Sequence, residues 1–340
     1  MFTPDLGAAF QPGEGNGVMS RSGVALEMHR EEDVRPVGCK LSPNGHATVT
    51  VLTAPLIILA PMRSYSTVVS AMLGQHPQMY SLLETHLFTC DTMRQWWSCY
   101  RNNHKLMGHG LLRAIAELIM GCQSEVTIEL ARRWIVRRLA WRTADVFRVL
   151  ARRVDPLVLI DKSPLIVNRA EHLDRALTEF PKARFLHLTR HPLGFGRSFL
   201  KFFEDLGTSA AADPQVVWHR QHSNILNFLA TVPQCQQLRM RGEDLLAAPD
   251  CHLAEIADWI GVRTTPDAIN KMKHPEESPF ACFGPTNALW GGGDSYFFRD
   301  PKLHSSKVKA SSLEGPLPWR RDGGEFSTEV RELAQQLGYG

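Results

Sequence analysis

Five residues that can grip an oxyanion stand in a row in "APMRSYSTVV" (60–69): Arg63, Ser64, Tyr65, Ser66 and Thr67. The apolar run "PLIIL" precedes them and the helix-like "STVVSAMLGQ" follows. A strand that turns through a polar loop into a helix makes an anion site. The helix N-terminus offers unpaired N–H groups and the positive end of its dipole. Hydroxyls add donors, and Arg63 adds a planar fork of charge-assisted hydrogen bonds. A plain helix cap by Ser64 or Ser66, with a solvated Arg63, accounts for the same residues. The segment is not a Walker A loop, because G-x-x-x-x-G-K-[ST] is absent.

A second stretch repeats the construction. In "RFLHLTRHPLGFGRSF", Arg190 ends an apolar run and Ser198 lies eight residues on, about two helical turns later. Arg190 and Ser198 are placed to hold a second anion, so one ligand with two separated phosphate-like groups would use both loops. In "WHRQHSNILNF" (218–228), His219 and His222 have i,i+3 spacing but lack a nearby carboxylate or Cys partner. No metal site is expected there.

The elements that must position these residues alternate. "VTVLTAPLIILA", "DPLVLIDK" (155–162), "ARFLHLTR" (183–190) and "QQLRMR" (236–241) read as short strands with apolar cores. Helical patterns lie between them at about 165–178, 192–205, 214–231 and 250–260, and over most of 85–153. Alternating strands and helices predict an α/β fold of three layers, with a central parallel sheet of four or five strands. Lys162 follows a strand expected beside the first, at the carboxyl edge where such sheets place ligands. Residues 1–47 lack sustained periodicity and are rich in Gly and Pro, which predicts a disordered or surface-draped leader. A single domain is expected over 48–340, with a core at 55–262 and a loop-rich lid region at 263–340. That region holds one short helix near 325–337.

Bulk properties narrow the function. The 340 residues carry a net charge of +3 and 44% hydrophobic residues, so nothing marks a general nucleic-acid binder. Seven cysteines without a C-x-x-C pair suit free thiols in a reducing cytoplasm. No apolar run of eighteen residues occurs, so no membrane span is expected.

The two anion loops together resemble those of sulfotransferases that use 3′-phosphoadenosine-5′-phosphosulfate (PAPS). That family has a P-x-[RK]-S-G-[ST]-T loop, matched here by "PMRSYST" (61–67). Its later Arg with a Ser eight residues on is matched by "RHPLGFGRS" (190–198). "MRGEDLLAAPDCHLAEIADWIGV" (240–262) is similar to its R-x-E-D-L segment, and "DKSPLIV" (161–167) to its D-K-[ST]-P segment. The likeness runs over about 55–262 and is greatest to bacterial, tyrosylprotein and carrier-acyl sulfotransferases. It implies a P-loop-kinase-like topology with helical insertions, PAPS as sulfonate donor, no metal, and an acceptor hydroxyl. That hydroxyl would belong to a small molecule, lipid, glycan or carrier-bound acyl chain.

The resemblance also implies roles. Arg63, Ser64, Tyr65, Ser66 and Thr67 would hold the 5′-phosphosulfate; Arg190 and Ser198 would hold the 3′-phosphate. Glu84, twenty-one residues after Arg63, would be the general base, with His86 a nearby substitute. Lys162 and Arg63 would stabilise the moving charge. A W-x-x-x-H-x-N helix would turn His222 toward the acceptor, and His304 and Lys307 would close over the site.

The pattern departs at Tyr65, where the family has Gly. Gly permits positive φ and close backbone approach; a left-handed Tyr is strained. Two rivals follow from the residues: a nucleotide-dependent phosphoryl transferase on a similar sheet, and a non-catalytic nucleotide-binding relative. Finally, "ARRWIVRRLAWRTADVFRVLARR" (131–153) carries eight arginines and two tryptophans. It reads as an amphipathic helix with a basic outer face, and as a dock for an acidic partner such as an acyl carrier protein.

Overall fold

The computed structural model describes residues 52–103, 105–292, 294–304 and 312–340; the leader expected at 1–47 lies outside them. Five short strands form one parallel sheet: β1 (Leu56–Leu59), β2 (Met79–Ser81), β3 (Val158–Asp161), β4 (Arg184–Thr189) and β5 (Gln237–Arg241). Their order is β2-β3-β1-β4-β5. In register, Leu56 faces Ile160 on one side of β1 and Arg184 on the other. β2 is the strand that the hydrophobic pattern does not reveal. It is three residues long, "MYS", and gives too little alternation to read.

Helix α1 (Ser66–Gly74) joins β1 to β2. A long helical insertion then leads to β3: α2 (Met93–Ser98), α3 (His109–Met120), α4 (Glu125–Val136) and α5 (Thr143–Val154). Next come α6 (Ala170–Glu179), α7 (Pro192–Asp205) and α8 (Pro214–Leu229). β5 is followed by α9 (Gly242–Ala247), α10 (Pro249–Ile260), α11 (Pro266–Lys271), α12 (Ser295–Arg299) and α13 (Thr328–Gln336).

The strands are buried on both faces, as parallel strands under helical layers must be. Side chains alternate between faces with period two. Ile57, Leu59, Leu159 and Phe185 enter one core with residues of α3, α5, α6 and α8. Leu56, Ile58, Ile160 and Leu186 enter the other with residues of α1, α9 and α10. Burying each such side chain contributes about 1.5–3 kcal/mol, so the apolar runs hold the middle layer. The last residues also pack: Val330, Leu333, Leu337 and Tyr339 form a third cluster with Trp218 and Phe195. No described helix is long and apolar enough to cross a membrane.

The stretch 131–153, expected as one basic helix, is two. α4 ends at Val136 and α5 begins at Thr143. The intervening turn has other work for its carbonyls. Leu139 accepts from the Arg94 N–H and Trp141 from the Met93 N–H, both at 2.9 Å. The Thr143 N–H, in turn, donates to the Asp91 carbonyl at 3.0 Å, so the turn is tied to the start of α2 in place of a continuous helical ladder.

Because all five strands are parallel, their carboxyl ends lie along one edge. Arg63 follows β1, Glu84 follows β2, Lys162 follows β3 and Arg190 follows β4. From β1 the chain runs to the edge at β2, returns to β3 beside β1, and then crosses to β4 and β5 on the other side, so the switch in strand order falls at β1 as well.

Candidate active site

The loop after β1 bends through two left-handed residues, Arg63 (φ 65°) and Tyr65 (φ 63°). Each costs a residue with a Cβ about 1–2 kcal/mol. Tyr65 thus keeps the conformation that Gly would supply at no cost. Its ring lies 4.2 Å from the Arg190 guanidinium. The ring also abuts Gly242, where a Cβ would come within 2.5 Å of it. Tyr65 is the N-cap of α1, yet no side chain caps that helix. The N–H groups of its first turn are therefore left for a ligand.

The loop after β4 converges on the same place. The Arg63 carbonyl accepts a hydrogen bond from Nη1 of Arg190. Ser198 accepts from Nε of Arg63 at 3.2 Å. Glu243, from the "MRGEDL" segment, accepts the His191 N–H at 2.9 Å and the Tyr339 hydroxyl at 2.9 Å. Two buried polar atoms here have no partner: Oγ of Ser64 and Nε of Arg190. An orphaned buried donor is destabilising, and both atoms suit an anionic ligand. The residues present therefore fit an anionic ligand that meets both loops. Asp294 pairs with Nη1 of Arg63 at 3.3 Å.

A third cluster joins the ends of β2 and β3. Lys162 is buried, and its Nζ donates to Glu84 Oε1 at 2.6 Å and to Thr67 Oγ1 at 3.1 Å. His86 places Nε2 3.5 Å from the other Glu84 oxygen and stacks on Tyr100, ring centroids 5.3 Å apart. The backbone around Glu84 is closely packed. Its N–H donates to the Gly291 carbonyl at 3.0 Å, and a Cβ on Gly110 would meet its carbonyl at 2.1 Å. Thr85 and Ser163 both donate to Asp161, at 2.7 and 3.2 Å, and Ser163 accepts the His86 N–H at 2.9 Å. This network ties 84–86 to the end of β3.

Burial pushes the Glu84 carboxyl up, but Lys162 and His86 together outweigh it and hold the group down at about 2. A folded-state value below the unfolded one means stability that is present above the ordinary carboxylate range. It is lost progressively as pH falls from the ordinary value of 4.5 down through about 2. Glu84 is therefore ionised at neutral pH, as a base must be. Its basicity is low while Lys162 stays on it.

Beside this cluster lies a narrow cavity of about 20 Å³, lined by Thr67, Lys162, Leu83, Phe280, Gly292 and Phe298. That is room for roughly one water. The aromatic residues and Gly292 come from the region after α11.

The structure brings Arg63, Ser64, Tyr65, Ser66, Thr67, Glu84, Lys162, Arg190 and Ser198 into this one region. It does not do so for His222. That ring is fully buried, with Nδ1 2.9 Å from Nε2 of His187 on β4 and a T-shaped contact with Trp218. Burial holds both histidines below the usual range. His304 pairs with Asp300 at 2.7 Å, and Lys307 lies outside the described residues. Three participants carry no sequence signal of their own. Asp294 and Tyr339 reach the cradles from distant loops, and Gly242 looks like an ordinary residue of α9. Among the described residues no group of metal-ligating side chains occurs.

Comparison with known proteins bears on the family and the fold. Residues 55–266 match the profile of the sulfotransferase family. The fold is similar to that of the sulfotransferase domain from the curacin biosynthetic pathway (23% identity, TM-score 0.68, covering 85% of this chain and 99% of that one). It is also similar to the sulfotransferase domain from the Synechococcus PCC 7002 olefin synthase (25% identity, TM-score 0.66, covering 85% and 96%). Among curated protein sequences nothing matches.

Proposed function

We propose, on the premise that the chain belongs to the sulfotransferase family, that it moves a sulfonate group from PAPS to an acceptor hydroxyl. Transfer is in line, with Glu84 as general base. The observation that carries this reading is Lys162. One buried ammonium touches Thr67 of the first anion loop and Glu84, so cradle, cation and base are in contact.

Bound PAPS supplies an activated sulfonate whose S–O bond to the 5′-phosphate breaks as the acceptor oxygen bonds to sulfur. The bond's electron pair leaves with that phosphate. The open first turn of α1, Ser64 and Arg63 hold the reacting end, and Arg190 and Ser198 hold the 3′-phosphate. Lys162 turns from Glu84 toward the developing negative charge. Glu84 then loses its nearest cation, its proton affinity rises, and it takes the acceptor's hydroxyl proton.

Leu83, Phe280, Phe297 and Phe298 line the cavity beside Lys162, which favours apolar surface next to the acceptor hydroxyl. The basic face of α4 and α5, with Arg133 and Arg142 well exposed, would dock an acidic carrier that delivers such a chain. The described cysteines are all free thiols, which suits a cytoplasmic setting.

Turnover of labelled PAPS with hydroxyl acceptors tests the reading. Glu84→Gln should leave PAPS affinity nearly unchanged and lower turnover by about a hundredfold or more. In the wild type, the acid limb of kcat/KM reports the free enzyme and should fall well below the ordinary carboxylate range. The limb of kcat should lie at higher pH, because Lys162 is then engaged elsewhere. Near-normal turnover in Glu84→Gln would move the base to His86. PAPS binding without any turnover would favour a non-catalytic relative.

A further inference from the structure

Tyr65 stands where the family pattern has Gly, and the surroundings are adapted to its ring. Gly242 shows this most directly. Its backbone has no positive φ, and it is the first residue of a helix. Nothing about its conformation asks for Gly. What forbids a side chain is the Tyr65 ring, which a Cβ would meet at 2.5 Å, with the Thr189 carbonyl at 3.2 Å.

The ring also bears on Arg190. The guanidinium sits 4.2 Å from the ring centroid. Gly194 backs the same side chain, since a Cβ there would lie 3.2 Å from Nε. Nη1 is fastened to the carbonyl of left-handed Arg63. Arg190 is thus held by a ring, a glycine of α7 and a carbonyl, while its Nε stays buried and unpartnered. A free arginine side chain loses much rotamer freedom when it meets an anion. Here that freedom is removed beforehand, with a donor left over.

We infer that Tyr65 is a positioning residue that presets Arg190 for the 3′-phosphate of the nucleotide, and that Gly242 exists to admit its ring. The inference rests on the PAPS reading above and adds the residue that enforces its selectivity. Preorganisation of this kind improves affinity by lowering the ordering cost of binding.

Calorimetry on the full chain tests it without turnover. Adenosine 3′,5′-bisphosphate and adenosine 5′-monophosphate differ only in the 3′-phosphate, so their affinity ratio reads the Arg190 contact. Tyr65→Gly should lower that ratio by about tenfold, the scale of a desolvated cation–π contact. Tyr65→Phe keeps the ring and should hold the ratio within about threefold. Gly242→Ala displaces the ring and should lower the ratio in its own right. Added to Tyr65→Gly, it should change nothing further, because no ring remains to be displaced. The Phe and Ala variants decide the matter if Tyr65→Gly does not fold. An unchanged ratio in folded Tyr65→Gly, or an equal loss in Tyr65→Phe, overturns the inference alone. A wild type that ignores the 3′-phosphate overturns the PAPS reading and the inference with it.

Discussion

Two helices begin at the candidate site, and their first turns are built in opposite ways. α1 opens after a left-handed Tyr65 with no side-chain cap. α7 opens with Pro192, which has no N–H, and with His191, whose Nδ1 accepts the Leu193 N–H at 3.1 Å. The first turn of α1 has no side-chain cap, whereas in α7 the first N–H is absent and the second is capped. An anion at α1 therefore meets backbone N–H groups that are fixed in place. An anion at α7 must be held by side chains, Arg190 and Ser198. The stiffer arrangement lies at the loop that Lys162 touches, where misplacement would slow the chemistry. The side-chain arrangement lies at the other loop, where it serves recognition.

The largest effect that would sharpen this comparison is at Arg190. If side chains alone hold the 3′-phosphate, Arg190→Ala should weaken adenosine 3′,5′-bisphosphate by roughly 2–4 kcal/mol. Adenosine 5′-monophosphate should change far less. Isothermal titration of both ligands checks this. Equal losses would mean that Arg190 serves the α1 end, and the division between the two helices would not stand.

Ser198 comes next. It lies two turns into α7 but accepts from Nε of Arg63, so it couples the two loops. Ser198→Ala removes one partner of a charged group, an effect of roughly 1.5 kcal/mol. The loss should appear in kcat as well as in nucleotide affinity, because Arg63 belongs to the reacting end. Steady-state kinetics that show a change in KM only would separate the loops again.

How much of this was legible in the sequence depends on whether a feature is local. β1, β3 and β4 are apolar runs closed by polar residues, and they read directly. The two anion loops are local too, and the family resemblance gave them order and spacing. β2 was missed because "MYS" carries no pattern. The break between α4 and α5 depends on N–H groups of α2, more than forty residues earlier, which periodicity does not register. His222 has the spacing of a functional residue, yet its partner is His187 on another element. Tyr65 could be flagged as a departure, but its meaning lies in Gly242, 177 positions away. Single-residue signals were ambiguous wherever the partner was distant.

The smallest effect concerns the cap on α7, which should matter to stability and not to the ligand. Burial, with Arg241 nearby, pushes His191 down to about 4. The ring is therefore neutral at pH 7, and Nδ1 can accept from Leu193. His191→Ala should cost about 1 kcal/mol of folding stability at that pH, the scale of a lost N-cap, with the nucleotide affinity ratio unchanged. The pH dependence has a definite sign. Between about 4 and the unfolded value near 6.5, the unfolded chain binds a proton that the folded chain refuses. Stability therefore falls as pH is lowered through this window. His191→Asn keeps a capping acceptor without a titrating ring, so its stability should fall less steeply over the same range. Urea unfolding of both proteins at several pH values measures the difference. Parallel pH profiles would show that His191 is not the group responsible. A nucleotide affinity that fell with the cap would show that the first turn of α7 also meets the ligand.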